Sequence, residues 1–284
     1  MLGKARTLLE MIKVEHSIFA LPFAYVSLFL AAGGVPSLTQ FLWVTLSMVG
    51  ARSLAMAINR LVDVEVDRKN PRTANRALPA GLISRGETVV FILLALIVFL
   101  IAVFQLAPRV QYLWPIVIAA VAFYPYTKRF TWTSHFYLGL VYFMVPPAVW
   151  MAVTNDLSPV ALLLGIAAGC WVAGFDIIYG CQDVDVDRRE GLHSLPADFS
   201  IGAGLLAAKL LHAVTIVSLL AAGAVAAAGS LYYAGVILAG LLLAYENSLV
   251  KPHDLSRVNA AFFVVNGWVS ILLFAFIAVD SVVW

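Results

Sequence analysis

The sequence predicts an all-α protein that crosses a membrane many times, and three observations carry that prediction. Of its 284 residues, 62% are hydrophobic and only 12% charged, too few polar groups to cover a soluble domain. The apolar residues gather into about nine stretches near the ~20 residues that a helix needs to cross a bilayer. The basic residues fall between those stretches in a one-sided pattern.

Taken in order, the first residues place Lys4, Arg6 and Lys13 among Leu8, Leu9 and Ile12, the composition of a basic helix lying at a membrane interface. Read instead as a signal segment, the apolar run from Ser17 to Ala32 continues into further spans and gives the same membrane protein. The expected spans are 16–34, 38–60, 88–107, 111–127, 135–154, 158–182, 203–229, 231–250 and 259–282. Ser84-x-x-Glu87 reads as a capping box that starts the third. Pro146-Pro147 is expected to bend the fifth. Gly165-x-x-x-Gly169 and the Ala/Gly-rich seventh and eighth spans read as close-packing surfaces. Cys170 and Cys181 share one helix, about 16 Å apart in rise, beyond disulfide reach, and are expected to be packing residues. No soluble domain fits between the spans, so residues 1–284 are expected to form a single membrane-embedded domain.

With nine spans and a cytoplasmic N-terminus, the loops 61–87, 128–134, 183–202 and 251–258 lie on the N-terminal side. The N-terminus, those loops and the helix ends beside them hold all 18 Lys and Arg residues except Arg52 and Arg109. The opposite loops, around 33–40, 154–158 and 229–230, hold none. The positive-inside rule therefore turns the basic loops toward the cytoplasm, with the protein in the cell (inner) membrane. The net charge of +2 says little about partners, and no nucleic-acid partner is expected.

The chemistry lies in two copies of one pattern, Asp63-Val-Glu-Val-Asp67-Arg-Lys and Asp183-Val-Asp-Val-Asp187-Arg-Arg, offset by the same 120 positions (63 to 183, 67 to 187). Each follows a long apolar helix and opens a polar loop, so helix-loop units at about 38–87 and 158–202 read as repeats. On a helix, Asn59, Asp63 and Asp67 share one face, as do Asp176, Asp183 and Asp187 with Tyr179 nearby. Glu65 and Asp185 point the other way. Stacked carboxylates at a bilayer edge repel unless a cation neutralises them, and Mg2+ is the hard ion that suits oxygen ligands. A single such cluster reads as a solvated loop; two with matched spacing point to metal ligation by Asp63, Asp67, Asp183 and Asp187.

Arg72, Arg76, Lys128 and Arg129 follow these carboxylates in sequence or flank a further helix end. Cations beside metal-binding carboxylates suit a polyanion held between them, and a diphosphate satisfies both. Positive-inside anchoring accounts for each of the four just as well when taken singly.

These residues resemble the UbiA superfamily of intramembrane aromatic prenyltransferases. The resemblance rests on Asn59-x-x-x-Asp63-x-x-x-Asp67, Arg72-Thr73 through Arg76 to Leu78-Pro79-x-Gly81, Tyr124-Pro with Lys128-Arg129, and Asp176-x-x-Tyr179-x-x-x-Asp183-x-x-x-Asp187. It implies an all-helical fold of about nine spans, a Mg2+-dependent transferase, a polyprenyl diphosphate donor, an aromatic acid acceptor and a cavity open to the lipid bilayer. It also implies a place in ubiquinone or menaquinone biosynthesis. Members that act on 4-hydroxybenzoate often carry Asn-Asp where this chain has Asn59-Arg60. The run Phe175 to Asp183 and the segment Gly191-Leu-His193-Ser194-Leu-Pro196 are more similar to a futalosine-route menaquinone branch with a dihydroxynaphthoate acceptor. Haem O synthase and chlorophyll synthase share the superfamily, and no feature selects their macrocyclic acceptors.

In the mechanism this implies, Arg and Lys stabilise the departing diphosphate, while Tyr124, Tyr126, Tyr142 and Tyr179 shield an allylic cation. Asn59, Tyr179 and Asp176 are the candidate catalytic residues, with Asp176 as the base. Arg52 lies about two turns deeper than Asn59, where an unpaired guanidinium is costly, so it either pairs with Asp176 or binds the carboxylate of the acceptor. His193 reads as a loop residue that caps the site or is simply solvated. The rival function is a secondary transporter, but transporters place ionisable groups near the midplane and these acids gather at helix ends.

Overall fold

The structure, a computed structural model, describes residues 2–12 and 17–284; Lys13 and the first residue of the first expected span lie outside the described residues. Helices α1 (Leu2–Met11), α2 (Ser17–Ala32) and α3 (Leu38–Val62) are followed by the short α4 (Val64–Lys69), then by α5 (Arg85–Val103), α6 (Pro108–Gln111) and α7 (Trp114–Thr127). The chain continues through α8 (Ser134–Phe143), α9 (Val145–Thr154), α10 (Pro159–Gly180), α11 (Val184–Glu190) and α12 (Leu195–Asp198). It ends with α13 (Ile201–Val225), α14 (Ser230–Leu249), a π-helical turn (Ala260–Val265) and α15 (Asn266–Val283).

Local chemistry sets the ends of these elements. Ser37 with Gln40 and Ser84 with Glu87 form reciprocal capping boxes at α3 and α5, the second as the sequence predicts. Ser158 caps α10, whose first residue is Pro159, and Ser200 caps α13. The fifth expected span breaks between α8 and α9, where Pro146 and Pro147 lie in the first turn of α9 and lack the amides that would continue α8.

Six helices of the described residues are long and apolar enough to cross a membrane, with α8 and α9 counted as one. The figure of about nine is not reached by this measure. Leu21–Ala32 and Trp114–Thr127 are apolar but short, and α14 ends in the polar run Tyr245-Glu246-Asn247-Ser248. The outer faces are hydrocarbon: Val90, Leu93, Leu94, Ile97 and Ile101 of α5 are all more than half exposed, which suits lipid rather than water. The protein is a multi-pass membrane protein.

Helix α10 is the central column. It packs against α8 and α13, while α3 packs on α5 and α15 on both α2 and α14. Small residues permit the closest approach. A Cβ at Gly169 would lie 2.7 Å from the Gly139 carbonyl oxygen, and one at Gly165 would lie 2.7 Å from that of Phe143. The Gly165-x-x-x-Gly169 face is therefore a packing seam.

The two carboxylate motifs share a bend at an aspartate followed by a short helix, the second with a 3-10 turn (Cys181–Asp183) before the bend. Helix α3 bends at Asp63 (φ −92°, ψ 4°) into α4, and the column of α10 bends at Asp183 (φ −101°, ψ 0°) into α11. The stacks that the sequence places on continuous helices are thus kinked at Asp63 and Asp183. Each kink turns the next aspartate toward the loop that follows.

Candidate active site

An intramembrane cavity of about 660 Å³ runs along α3 between α5, α7, α9 and α10. One end is polar, walled by Asn59, Arg60, Arg72, Arg76, Asp176 and Tyr179. The other end is apolar and reaches Val44, Val103, Val110 and Trp114. From Asn59 to Val44 the rise along α3 is about 22 Å. A ligand with a charged head and a hydrocarbon tail matches this division.

Three of the four predicted metal carboxylates bond to residues of the polar wall. Asp63 is 3% exposed, and its Oδ2 accepts from Lys128 Nζ (2.6 Å) and Asn59 Nδ2 (3.2 Å). Burial raises the Asp63 carboxyl above the ordinary carboxylate range, and Lys128 opposes that rise. Asp67 receives Arg76 Nη1 at 2.7 and 2.9 Å, with Arg60 4.0 Å away. Asp183 accepts a forked pair from Arg72, Nε at 3.1 Å and Nη2 at 2.6 Å, plus Asn70 Nδ2 at 3.0 Å. Asp187 accepts from the Ser194 hydroxyl (3.0 Å). Glu65 and Asp185 are exposed. Glu65 is paired with Arg68 and Arg85 instead.

The three loops of this face are tied to one another. Lys69 Nζ reaches Glu190 (2.6 Å), and the His193 amide donates to the Lys128 carbonyl (2.6 Å). The His193 ring meets Asp198 at 3.1 Å. Arg72 also donates to the Tyr179 hydroxyl (2.8 Å), with its guanidinium 5.0 Å from the centre of that ring.

Among the described residues, no three His, Cys, Asp or Glu side chains form a group that would hold an ion as they stand. Lysine and arginine occupy the carboxylates instead. The donor set still fits a hard divalent cation: it is made of carboxylate oxygens, and Asp63 Oδ1 is buried and accepts no hydrogen bond. A metal bound to these aspartates would release Arg72, Arg76 and Lys128 toward an anion beside it.

Two expectations are corrected. Arg52 does not pair with Asp176: its Nη1 donates to the Tyr142 hydroxyl (3.3 Å), its Nε is buried without a partner, and it lines the cavity. Asp176 is held instead by His135 Nδ1 at 2.7 Å. Tyr126 faces outward, 44% exposed, and stacks under Arg129 rather than shielding the cavity. Arg129 itself donates to the Val62 carbonyl (2.9 Å) and stays 3.8 Å from Asp63. Tyr124, Tyr142 and Tyr179 do line the cavity.

Sequence reasoning noted Arg60 only beside Asn59 and not as part of the site, and it missed Asn70, His135 and the wall formed by Asn259, Phe262 and Phe263. Arg60 is 7% exposed and donates to the Met11 carbonyl (3.3 Å), but in sequence it is one more cation on the basic side. The others belong to no periodic pattern, and only tertiary packing brings them to the site.

Fold and site together define a membrane-embedded prenyltransferase. The chain belongs to the UbiA prenyltransferase family, whose model matches residues 20–274. It is 33% identical over 258 residues to a 4-hydroxybenzoate octaprenyltransferase of Marinobacter nauticus, covering 90% of this chain and 87% of that protein. It is 30% identical over 236 residues to the enzyme of the same name from Vibrio atlanticus, covering 83% of each. A UbiA homolog from Aeropyrum pernix superposes with a TM-score of 0.85 at 31% identity, covering 94% of this chain and 98% of that one. A UbiA homolog from Archaeoglobus fulgidus, solved bound to DMAPP and Mg2+, shares the fold at a TM-score of 0.72 and 18% identity over 96% of this chain and 99% of that one. The resemblance seen in the motifs is thereby borne out, and the protein is an aromatic prenyltransferase.

Proposed function

We propose that this protein transfers a polyprenyl chain from its diphosphate to the ring of an aromatic acid in ubiquinone or menaquinone biosynthesis, with Mg2+ as cofactor. One observation carries the reading. A single cavity joins a carboxylate-and-arginine head, an apolar tail and, two turns below the head, a guanidinium with unused donors. Donor head, donor tail and acceptor carboxylate each find a complementary group along it.

Asp63, Asp67, Asp183 and Asp187 would hold the metal, directly or through water. When bound, Mg2+ would supply positive charge to offset that of the diphosphate as the allylic carbon–oxygen bond ionises. Arg72, Arg76 and Lys128 bind the remaining phosphate oxygens, with Arg129 supporting Lys128 at the rim. Asn59 orients Asp63, and Tyr179 with Tyr124 and Tyr142 presents ring faces that exclude water from the cation. Arg52 clamps the acceptor carboxylate and turns the ring toward that carbon. Asp176, fixed by His135, takes the proton that the ring or its hydroxyl releases.

The relatives named above favour 4-hydroxybenzoate, whereas Arg60 after Asn59 departs from that pattern and the run Phe175 to Asp183 with the segment Gly191 to Pro196 favours a dihydroxynaphthoate. The active-site loops face the cytoplasm, and the whole chain acts as one domain built on the repeated helix-loop units. Purified protein offered a prenyl diphosphate with 4-hydroxybenzoate and 1,4-dihydroxy-6-naphthoate side by side should prenylate one of the two acids. Prenyl transfer to neither would refute the aromatic-acid assignment.

A further inference from the structure

A fully buried acid lies outside the chemistry described so far. Glu246 of α14 is 0% exposed in an apolar core, yet α14 contributes nothing to the wall of the cavity. Its Oε1 accepts from Asn266 Nδ2 at 2.7 Å, and its Oε2, which accepts no hydrogen bond, lies 3.9 Å from His212 Nδ1. Asn266 is 1% exposed and its amide is oriented from both sides. Trp171 Nε1 can only donate, so Asn266 Oδ1 must face it (2.7 Å) and Nδ2 must face Glu246.

Asn266 closes the π-helical turn Ala260–Val265, and the same Nδ2 lies 3.2 Å from the Ala261 carbonyl and 3.3 Å from that of Phe262. A π turn carries one residue more than an α turn and bonds its carbonyls less well. A side-chain donor fixed over two of those carbonyls favours the wide turn. Collapse to α geometry would rotate the residues before Asn266 by about 100°.

Those residues form the cavity wall. Phe262 lies 4.1 Å from Tyr179 and 5.2 Å from Phe175 between ring centres, Phe263 is 5.9 Å from Tyr179, and all four line the cavity with Asn259. Tyr179 in turn carries Arg72 on its hydroxyl.

We infer that Glu246 and Asn266 are positioning residues that hold the π turn and, through it, set the Phe262–Phe263 wall against Tyr179 where the prenyl diphosphate binds. The inference rests on the prenyl-transfer reading of this cavity. A double-mutant cycle tests it with kcat/KM for the prenyl diphosphate as readout. Phe262→Ala and Glu246→Met should each lower it about tenfold, and the double variant should fall no further, because both remove one arrangement. Glu246→Gln keeps the acceptor oxygen and should stay within about twofold of wild type. If Glu246→Met does not fold, Asn266→Ser, which loses the reach to Glu246 and Trp171, takes its place in the cycle. Losses that multiply to about a hundredfold, a folded Glu246→Met enzyme at wild-type rate, or a Glu246→Gln enzyme as impaired as Glu246→Met would overturn the inference. Absence of transfer by the wild-type protein would instead contradict the prenyl-transfer reading on which it stands.

Discussion

At the scale of single residues, the carboxylates divide into those that meet the cations of the site and those that meet solvent. Asp63, Asp67 and Asp183 are held by Lys128, Arg76 and Arg72, while Asp185 and Glu65 are exposed. Substituting Ala at Asp63, Asp67, Asp183 or Asp187 should lower kcat/KM by about a hundredfold or more, since each removes a carboxylate that would hold the cation needed to neutralise the diphosphate. Glu65→Ala and Asp185→Ala should stay near wild type; equal losses at all six positions would contradict the division. Arg52 belongs at the same scale. Arg52→Ala should raise KM for the aromatic acid by about tenfold or more and leave KM for the prenyl diphosphate nearly unchanged, because one charge-assisted contact to one substrate is lost. Arg52→Lys should recover only part, as an ammonium lacks the fork. The motif aspartates were legible because their spacing repeats. The partner of Asp176 was not: His135 is 41 positions away and meets it only once α8 has packed on α10.

At the scale of elements, the long apolar runs and the Ser84 cap could be read directly, since hydropathy and capping are local properties. The bends at Asp63 and Asp183, the break before Pro146 and the π turn at Ala260–Val265 decide where side chains point. Of these, the proline pair alone left a signal in the sequence. The α8–α10 seam gives an element-scale prediction. A methyl group at Gly169 meets the Gly139 carbonyl oxygen at 2.7 Å, backbone against backbone, whereas one at Gly86 meets nothing within 4 Å. Gly169→Ala should destabilise the protein by about 1–3 kcal/mol, and Gly86→Ala should leave it unchanged or slightly more stable. Thermal unfolding in detergent distinguishes the two, and equal midpoints would place the seam elsewhere.

At the scale of the whole molecule, the one-sided charge, the apolar surface and the cavity along α3 describe a catalyst set into a bilayer. The tail end of that cavity is lined by hydrocarbon down to Val44 and Trp114. Longer prenyl diphosphates should therefore bind more tightly, by up to about 0.8 kcal/mol for each CH2 that is buried, until the cavity is filled. Chain-length independence of KM would mean that the tail lies outside it. A transporter built on this fold would accumulate an acid or a cation in vesicles, and no such uptake is expected. The most direct test of the account is single-turnover chemistry on the purified protein in a lipid bilayer, with a prenyl diphosphate and an aromatic acid supplied together. With Mg2+ present, ring-prenylated product and inorganic diphosphate should form in equal amounts, and a chelator should abolish both. Diphosphate released without a prenylated ring, or product formed equally well under chelation, would contradict it.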